Sequence, residues 1–504
     1  MTTIILASFI KDSKIILKMT FVPKEIKQIS EAVWELPTSF KEGMNVPGRI
    51  IATEKLLNEM DYGVFEQVSN VACLPGIVGY SFAMPDAHIG YGACIGGVAA
   101  FDPEEGGVIS PFVVGYDINC GMKLLRTNLT WDDVEPKSKE LVDTLFKLVP
   151  AGVGVKGFVK LSKQQFKEVL EQGSKWCVEN GYGWKEDLER TESYGKIDWA
   201  DSNKVAQKAI DRGINQLGTL GSGNHYLEVQ VVKKENIHDE KLAKKFGIFE
   251  NQVVVMVHSG SRGFGHQLAT DYLKIIEPAV KKYNLTFKDR ELMSVPFNSN
   301  EGQDYYKAMA CAANYAFTNR QIIAHRIREA FEKVFNQSAE SMEMHLVYDV
   351  AHNIARFGEF KIDGKKKKLL VHRKGATLAL GPGHHELSPL YKETGQPVII
   401  GGSMETGSYL LVGTNKAEEE TFSSTCHGSG RTMSRTKARH MIRGDQLQKD
   451  MEKRGIIVKS ASMSGLAEEW GNAYKDINEV VKSVTIAGIS KPVVGLVPKL
   501  NVKG

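Results

Sequence analysis

The stretch Ser424-Thr-Cys-His427-Gly428-Ser-Gly430-Arg431 sets an imidazole among glycines and next to a guanidinium. Glycine lets backbone come close to a ligand where a Cβ would collide. Arginine pairs with phosphate through two parallel N–H groups, and an imidazole is a competent nucleophile toward phosphorus. Arg435, Arg439 and Arg443 continue at four-residue spacing, so a single helix over 432–454 would carry the whole row on one face. Two plainer readings stand beside this one: a turn holding a buried histidine, and a solvated basic helix face.

A second set of residues suits metal binding. Asp117 and Cys120 lie in Gly-Tyr-Asp-Ile-Asn-Cys-Gly, and His225 lies in Gly-Ser-Gly-Asn-His. His258 opens His-Ser-Gly-Ser-Arg-Gly, and His352 follows Leu-Val-Tyr-Asp-Val-Ala. Each sits where an apolar run meets a loop, and strand ends give loops a rigid base. One such histidine is ordinarily a satisfied loop residue, but four such sites, three with a histidine and one with Asp117 and Cys120, suggest a cluster. Thiolate, imidazole and carboxylate together suggest zinc first. His88, in Met-Pro-Asp-Ala-His-Ile-Gly, has similar surroundings and is a candidate ligand or base. Gly260, Gly263 and Gly265 could form a phosphate nest. No GxxxxGK[ST] loop is present, and Gly-Ser-Gly-Asn lacks the context of a dinucleotide fingerprint.

The elements that must position these residues read as buried strands at 94–101, 111–117, 253–260 and 397–404. Helical patterns fall at 137–148, 163–181, 203–216, 265–283 and, most clearly, 304–335. The strands are too scattered for a regular βαβ alternation, so the class is α+β, one large mixed domain with the metal-capable residues at strand ends. The polar stretch 181–203 and the Lys365–Lys368 run read as surface insertions, the lysines as a hairpin after Asp363-Gly364. Of 504 residues, 42% are hydrophobic and 25% charged, which indicates a folded protein. A net charge of +4 permits a nucleic-acid partner without arguing for one. Six scattered cysteines without a CxxC pair suit a reducing compartment. The apolar run at 4–10 has no basic lead and is followed at once by Lys11, so it is not read as a signal peptide. No run is long enough to span a bilayer, and a soluble intracellular protein is expected.

Asp-Ile-Asn-Cys-Gly, Gln216-Leu-Gly-Thr-Leu-Gly-Ser-Gly-Asn-His, His-Ser-Gly-Ser-Arg-Gly, Ala351-His-Asn-Ile-Ala, Val371-His-Arg-Lys-Gly-Ala-Thr and Cys-His-Gly-Ser-Gly-Arg closely resemble, in this order, motifs of the RtcB family of RNA ligases. The likeness runs from about residue 60 to the C-terminal Val-Lys-Gly. Length and Glu301-Gly-Gln-Asp-Tyr look closer to eukaryotic members. The resemblance implies a catalytic domain over 56–504, with 1–55 an N-terminal extension and lead-in.

By motif, the resemblance implies that His427 attacks the α-phosphate of GTP to give a histidine–GMP phosphoramide, and that Asp86 is needed after guanylylation. It makes Asp117, Cys120, His225, His258 and His352 the ligands of two manganese ions, in place of zinc. It puts Asn224, Glu228, Ser403, Ser408, Gly430, Arg431, Tyr474 and Lys503 around the guanine nucleotide, with Glu228 as acceptor for the guanine N1/N2 edge. Arg212 and Arg262 would hold phosphates or RNA termini. The implied substrates are RNAs with a 2′,3′-cyclic phosphate or 3′-phosphate end and a 5′-hydroxyl end, such as tRNA exon halves. Archease and a larger tRNA ligase complex are implied partners, and cytoplasm and nucleus the implied location.

The chain departs from the family pattern at Leu378, where arginine is usual, and at Glu405, where glycine is usual. It also departs at Glu468-Glu-Trp-Gly-Asn-Ala-Tyr474. Leu378 and Glu405 both make the nucleotide surroundings less positive. Two other readings remain open: a metal-dependent RNA phosphodiesterase or phosphatase that does not use His427, and a non-catalytic RNA-binding subunit.

Overall fold

The computed structural model describes residues 22–504; the apolar run at 4–10 lies outside them. Continuous Val/Ile/Leu/Met runs build two large sheets. The eight-stranded sheet runs in space Leu346–Ala351, Gly121–Thr130, Gln252–Ser259, Tyr226–Ile237, Ser490–Lys503, Ser408–Gly413 and Pro397–Ile400. Ile457–Ser460 pairs parallel with Ser490–Lys503. Gln252–Ser259 is buried along its whole length, as an unbroken apolar strand must be when both faces are covered.

The seven-stranded sheet runs Lys27–Ser30, Val33–Leu36, Gly48–Ile51, Ile77–His88, Ile95–Phe101, Lys365–Lys374 and Asn353–Ile362. Its last two strands form a hairpin turning at Asp363-Gly364, both with positive φ, the turn that suits right-twisted strands. The lysine run leaves this turn as expected, and Lys367 pairs with Asp102 and Glu105. Leu346–Ala351 belongs to one sheet and Asn353–Ile362 to the other, so His352 sits where the chain crosses between them.

The longest helix, Asn300–Phe335, starts earlier than the sequence pattern suggests because Ser299 Oγ accepts from Gly302 N at 3.1 Å. It ends at Asn336, whose φ is +55°. Its alanine-rich centre is buried in the largest apolar cluster.

Four expectations require correction. The 111–117 segment is not a strand: Pro111–Val114 is a short helix, since proline at the first helical position has its φ preset and no N–H to lose. The 163–181 pattern is two helices, Lys163–Gln172 and Ser174–Glu179, divided at Gly173, φ +58°. The 432–454 pattern is likewise two, Arg435–Met441 and Gly444–Lys453. A Cβ on Gly444 would lie 2.0 Å from the Met463 carbonyl oxygen, so backbone presses on the break, and the arginine row does not share one helix. The 181–203 stretch is not a surface insertion. Asp187 and Glu192 are buried, Asp187 pairing with Arg328 at 2.7 Å and Glu192 accepting from Ala351 N at 2.9 Å.

Candidate active site

The register of the eight-stranded sheet gathers the metal-capable residues. Gly121 pairs with both Ala351 and Ser259, and His258 pairs with both Met122 and Tyr226. Cys120, His225, His258 and His352 therefore come to one end of four adjacent strands. Cys120 Sγ lies 3.3 Å from His225 Nε2 and 3.1 Å from His258 Nε2. Asp117 Oδ2 is 2.9 Å from His225 Nε2. The His258 and His352 ring centroids are 5.5 Å apart, and His352 Nε2 is buried without a hydrogen-bond partner among the described residues.

The far side of each ring is held, which fixes where Nε2 points. His258 Nδ1 donates to the Asn224 carbonyl at 3.0 Å. His352 Nδ1 meets Thr377 Oγ1 at 3.1 Å, and Arg262 Nη1 donates to His225 Nδ1 at 3.2 Å. Burial, then the neighbouring imidazoles, push His258 and His352 well below the usual histidine range, so both stay neutral with a lone pair to offer. Burial would raise Asp117, but His225 and Arg262 outweigh it and hold the carboxyl ionised. Burial and the Asp117 charge push the Cys120 thiol up. One thiol, one carboxylate and three imidazoles, one with a buried nitrogen unpaired among the described residues, fit a metal centre.

Two adjacent residues of the long helix clamp these loops, and nothing in the sequence pattern marks them. Arg320 Nη1 donates to the carbonyls of Asn119 at 2.7 Å and Ser259 at 3.0 Å, while its Nε meets Asp349 Oδ1 at 2.8 Å. Asn319 Nδ2 donates to the Thr219 and Gly260 carbonyls, and its Oδ1 accepts from Gly218 N and Thr219 N.

His427 stands beside this cluster, its ring centroid 5.2 Å from that of His352. Asp86 Oδ2 accepts from His427 N at 3.0 Å and Gly428 N at 3.1 Å, and lies 2.6 Å from His427 Nδ1. Asp86 is buried, yet the His427 imidazole and the Lys475 ammonium outweigh desolvation and keep its carboxyl below the ordinary range. Lys475 itself donates to the Pro85 and Ala87 carbonyls on either side of Asp86. Gly430 has a φ of +72°, and a Cβ there would lie 1.9 Å from the Asp86 carbonyl oxygen. Only glycine fits. His88 lies apart from the Cys/His group: its Nδ1 donates to the Asp86 carbonyl at 3.1 Å, and burial lowers its pKa to about 4.

The remaining expected residues converge on the neighbouring strands. Glu228 is buried, with Oε2 accepting from Gln230 Nε2 at 2.7 Å. Burial raises its pKa to about 8 against the pull of Lys503. Ser408 Oγ accepts from Gly402 N at 3.3 Å, and Ser403 N donates to Thr406 Oγ1. Lys503 pairs in register with Tyr226, and its Nζ reaches the Gly223 carbonyl at 3.5 Å. Arg431 donates to the Tyr474 hydroxyl at 3.1 Å. Glu469, a role the sequence did not reveal, is buried between Arg431 at 3.4 Å and Lys503 at 3.7 Å, and accepts from the Tyr474 hydroxyl. Arg435 approaches Glu468 and Glu469 at 3.7 Å, and Arg443 turns away to Asp445. Arg212 is exposed and donates to Gln267 at 3.2 Å, outside the metal-capable group. The expected phosphate nest is closed at one position, since a Cβ on Gly260 would meet the Asp117 carboxylate at 2.3 Å.

The departures at Leu378 and Glu405 are absorbed locally. Glu405 pairs with Arg454 at 2.5 Å and accepts from Gly471 N at 2.5 Å, which cancels its charge. Leu378 is buried in an apolar cluster with Leu380 and Tyr391.

Among the described residues, no helix is long and apolar enough to cross a membrane. The family model described as tRNA-splicing ligase RtcB matches residues 67–504. The chain is 55% identical over 480 residues to a tRNA-splicing ligase RtcB of Thermococcus kodakarensis, covering 95% of this chain and 99% of the relative. Proteins of the same name from Methanococcus maripaludis and Archaeoglobus fulgidus are each 53% identical over 479 residues, again 95% of this chain and 99% of theirs. Every side chain placed in the site, from Asp86 to Lys503, falls within the matched span, and the chain belongs to the RtcB family of tRNA-splicing ligases.

Proposed function

We propose that this chain is an RNA ligase that joins a 2′,3′-cyclic phosphate or 3′-phosphate end to a 5′-hydroxyl end, as with tRNA exon halves, using GTP and two manganese ions. The observation that carries the reading is the 2.6 Å approach of Asp86 Oδ2 to His427 Nδ1. A carboxylate at Nδ1 holds the proton there and leaves Nε2 as the nucleophilic nitrogen.

His427 Nε2 bonds to the α-phosphorus of GTP, the bond to the bridging oxygen breaks, and pyrophosphate leaves. Water opens the cyclic phosphate. A 3′-phosphate oxygen then attacks the phosphoramide phosphorus, the P–N bond breaks, and its electron pair returns to the imidazole. The 5′-hydroxyl oxygen next attacks the activated 3′-phosphorus, GMP departs, and the hydroxyl proton passes to solvent. Asp117, Cys120, His225, His258 and His352 would hold the metal. When bound, manganese neutralises phosphate charge.

Arg431 and Lys503 supply fixed positive charge to the nucleotide, Arg262 and Arg212 to phosphates or RNA termini. Asn224, Ser403, Ser408, Gly430 and Tyr474 line the nucleotide, and Glu228 accepts from guanine. The reading carries with it a cytoplasmic and nuclear protein that works with an archease-type helper in a tRNA ligase complex.

Incubation with Mn²⁺ and α-labelled GTP should label the protein covalently, and His427→Ala should abolish the label. An unlabelled wild type with metal and nucleotide bound would overturn the mechanism. Opening of cyclic-phosphate RNA without joining, indifferent to GTP, would mark a phosphodiesterase. Salt-sensitive RNA binding without any Mn²⁺ dependence would mark a non-catalytic subunit.

A further inference from the structure

Two rungs of the ladder between Tyr226–Ile237 and Ser490–Lys503 hold a concentration of unpaired polar atoms. Asn501 pairs in register with Glu228, and Pro498 with Gln230. Cross-strand partners point to the same face of a sheet. Glu228 Oε1, Gln230 Oε1 and both Asn501 side-chain atoms, Nδ2 and Oδ1, are buried with no hydrogen-bond partner among the described residues. Glu228, Gln230 and Asn501 are each 0% exposed. Buried carboxamides are nearly always paired, and a cluster of unpaired ones asks what pairs them.

The surroundings do not answer it. On its other side the Asn501 strand pairs with Val458, which belongs to an apolar cluster. Leucine would serve the packing there as well as asparagine. Lys503, two residues on, pairs in register with Tyr226. Gln230 Nε2 donates to Glu228 Oε2 at 2.7 Å and to Ser408 Oγ at 3.2 Å, so Gln230 occupies one carboxylate oxygen and leaves Oε1 free.

Resting on the guanine-nucleotide reading above, we propose that Asn501 is a base-reading residue, its carboxamide pairing with the lactam edge of guanine beside Glu228. The donor and acceptor order matches atom for atom. Asn501 Nδ2 donates to O6, Asn501 Oδ1 shares the N1–H with Glu228, and Glu228 Oε1 also accepts from the exocyclic N2 amine. Adenine offers an amine and a bare ring nitrogen, and has nothing for Glu228. A carboxamide alone could flip to suit adenine, but the lactam-edge order is enforced when the carboxylate is fixed beside it. Lys503 and Tyr474 remain free for the rest of the nucleotide.

The test is calorimetric binding of GMP, IMP and AMP to the full chain with Mn²⁺ present. The wild type should prefer GMP to AMP, and IMP, which lacks only the N2 amine, should fall between. Asn501→Leu should weaken GMP and IMP alike by about tenfold or more, leave AMP nearly unchanged, and keep the wild-type GMP-to-IMP ratio. Glu228→Gln should instead collapse the GMP-to-IMP ratio. Asn501→Asp, equal in size but without the amide donor, should lose GMP affinity in the same way and covers the case in which the leucine variant does not fold. The unliganded leucine variant should melt no lower than the wild type, because it loses an unpaired amide and not a structural bond. Wild-type GMP-to-AMP preference in a folded Asn501 variant would overturn the proposal alone. A wild type that binds GMP no better than AMP would overturn the guanine-nucleotide reading, and the proposal with it.

Discussion

One oxygen of Asp86 meets His427 at two levels, accepting the backbone N–H at 3.0 Å and lying 2.6 Å from Nδ1 of the ring. The same oxygen takes the Gly428 amide, so loop and ring are aimed by a single buried group. Asp86→Asn keeps an acceptor for the amides but removes the charge facing the imidazole. Covalent labelling by α-labelled GTP should slow by roughly 10²–10⁴-fold with the fold intact by circular dichroism. Labelling at the wild-type rate would show that the carboxylate does not orient His427.

Arg320 should matter as much as any ligand, although it touches none. Its guanidinium is fully buried and shared between Asp349 and the carbonyls of Asn119 and Ser259. Arg320→Met leaves Asp349 to the buried Lys123 ammonium at 3.3 Å and frees both loops, at a cost of about 3–5 kcal/mol in denaturant unfolding. Manganese bound per chain, measured by elemental analysis, should fall too. Full metal loading in the variant would sink the clamp.

Glu228 gives nucleotide binding a pH dependence. Its pKa in the free protein is raised to about 8 by burial, whereas accepting from a guanine N–H requires the carboxylate and lowers that pKa in the complex. Binding below pH 8 therefore releases a proton, so GMP affinity should rise from pH 6 to 8, by at most about tenfold per pH unit, and level off above. In the unliganded protein the sign is opposite for folding: the raised pKa contributes stability that is present below the unfolded value and lost as pH rises through about 8. Glu228→Gln should flatten both slopes, and a GMP affinity that falls with pH would contradict the assignment.

Removing metal should lower thermal stability, since ions bound only to the folded state stabilise it by mass action. Manganese at about 100 times its Kd adds about 2.7 kcal/mol. Chelation should remove that gain, and His352→Ala should make the melting temperature less sensitive to manganese. Among the described residues His352 Nε2 has no hydrogen-bond partner, and the apo variant loses only packing and the Nδ1–Thr377 contact, so apo stability should change less than holo stability.

Glu405→Gly should leave labelling within about twofold of wild type, because Arg454 and Gly471 N already cancel the carboxylate. The expected stability loss is that of a partly exposed ion pair, about 0–1 kcal/mol, together with the Gly471 N–H bond, about 0.5–1.5 kcal/mol. A large gain in GTP affinity would mean the charge is felt at the nucleotide.

The parts of this site that sequence reveals are those whose local context is unusual. Cys120, His225, His258 and His352 stand where apolar runs meet loops, which marks them as a group, although of the four strands behind them the pattern reads only 253–260 as a strand. Pro111–Val114 was misread because a short buried apolar run looks the same as strand or helix, and only the meaning of Pro111 separates them. Arg320, Lys475 and Gln230 left no trace. Their partners lie far along the chain, as with the 390 residues separating Lys475 from Pro85, and a buried cation within a helix or strand looks like any surface charge until the fold closes over it. Asn501 was hidden for the same reason, as one polar residue in an edge-to-centre run of Val, Leu and Lys.

The order of strands in the eight-stranded sheet has a consequence in time. The four adjacent strands that carry the metal-capable residues lie between Gly121 and Ala351, and His352 follows them at once. His427 and the Ser490–Lys503 strand come later in the chain; the strand pairs with Tyr226–Ile237 at that sub-sheet's edge, and the His427 ring comes to rest beside His352. Because synthesis runs from the N-terminus, every metal-capable residue of the group is made before the His427 imidazole. A chain halted before residue 427 therefore carries every metal-capable side chain of the group but lacks the imidazole that stands beside them.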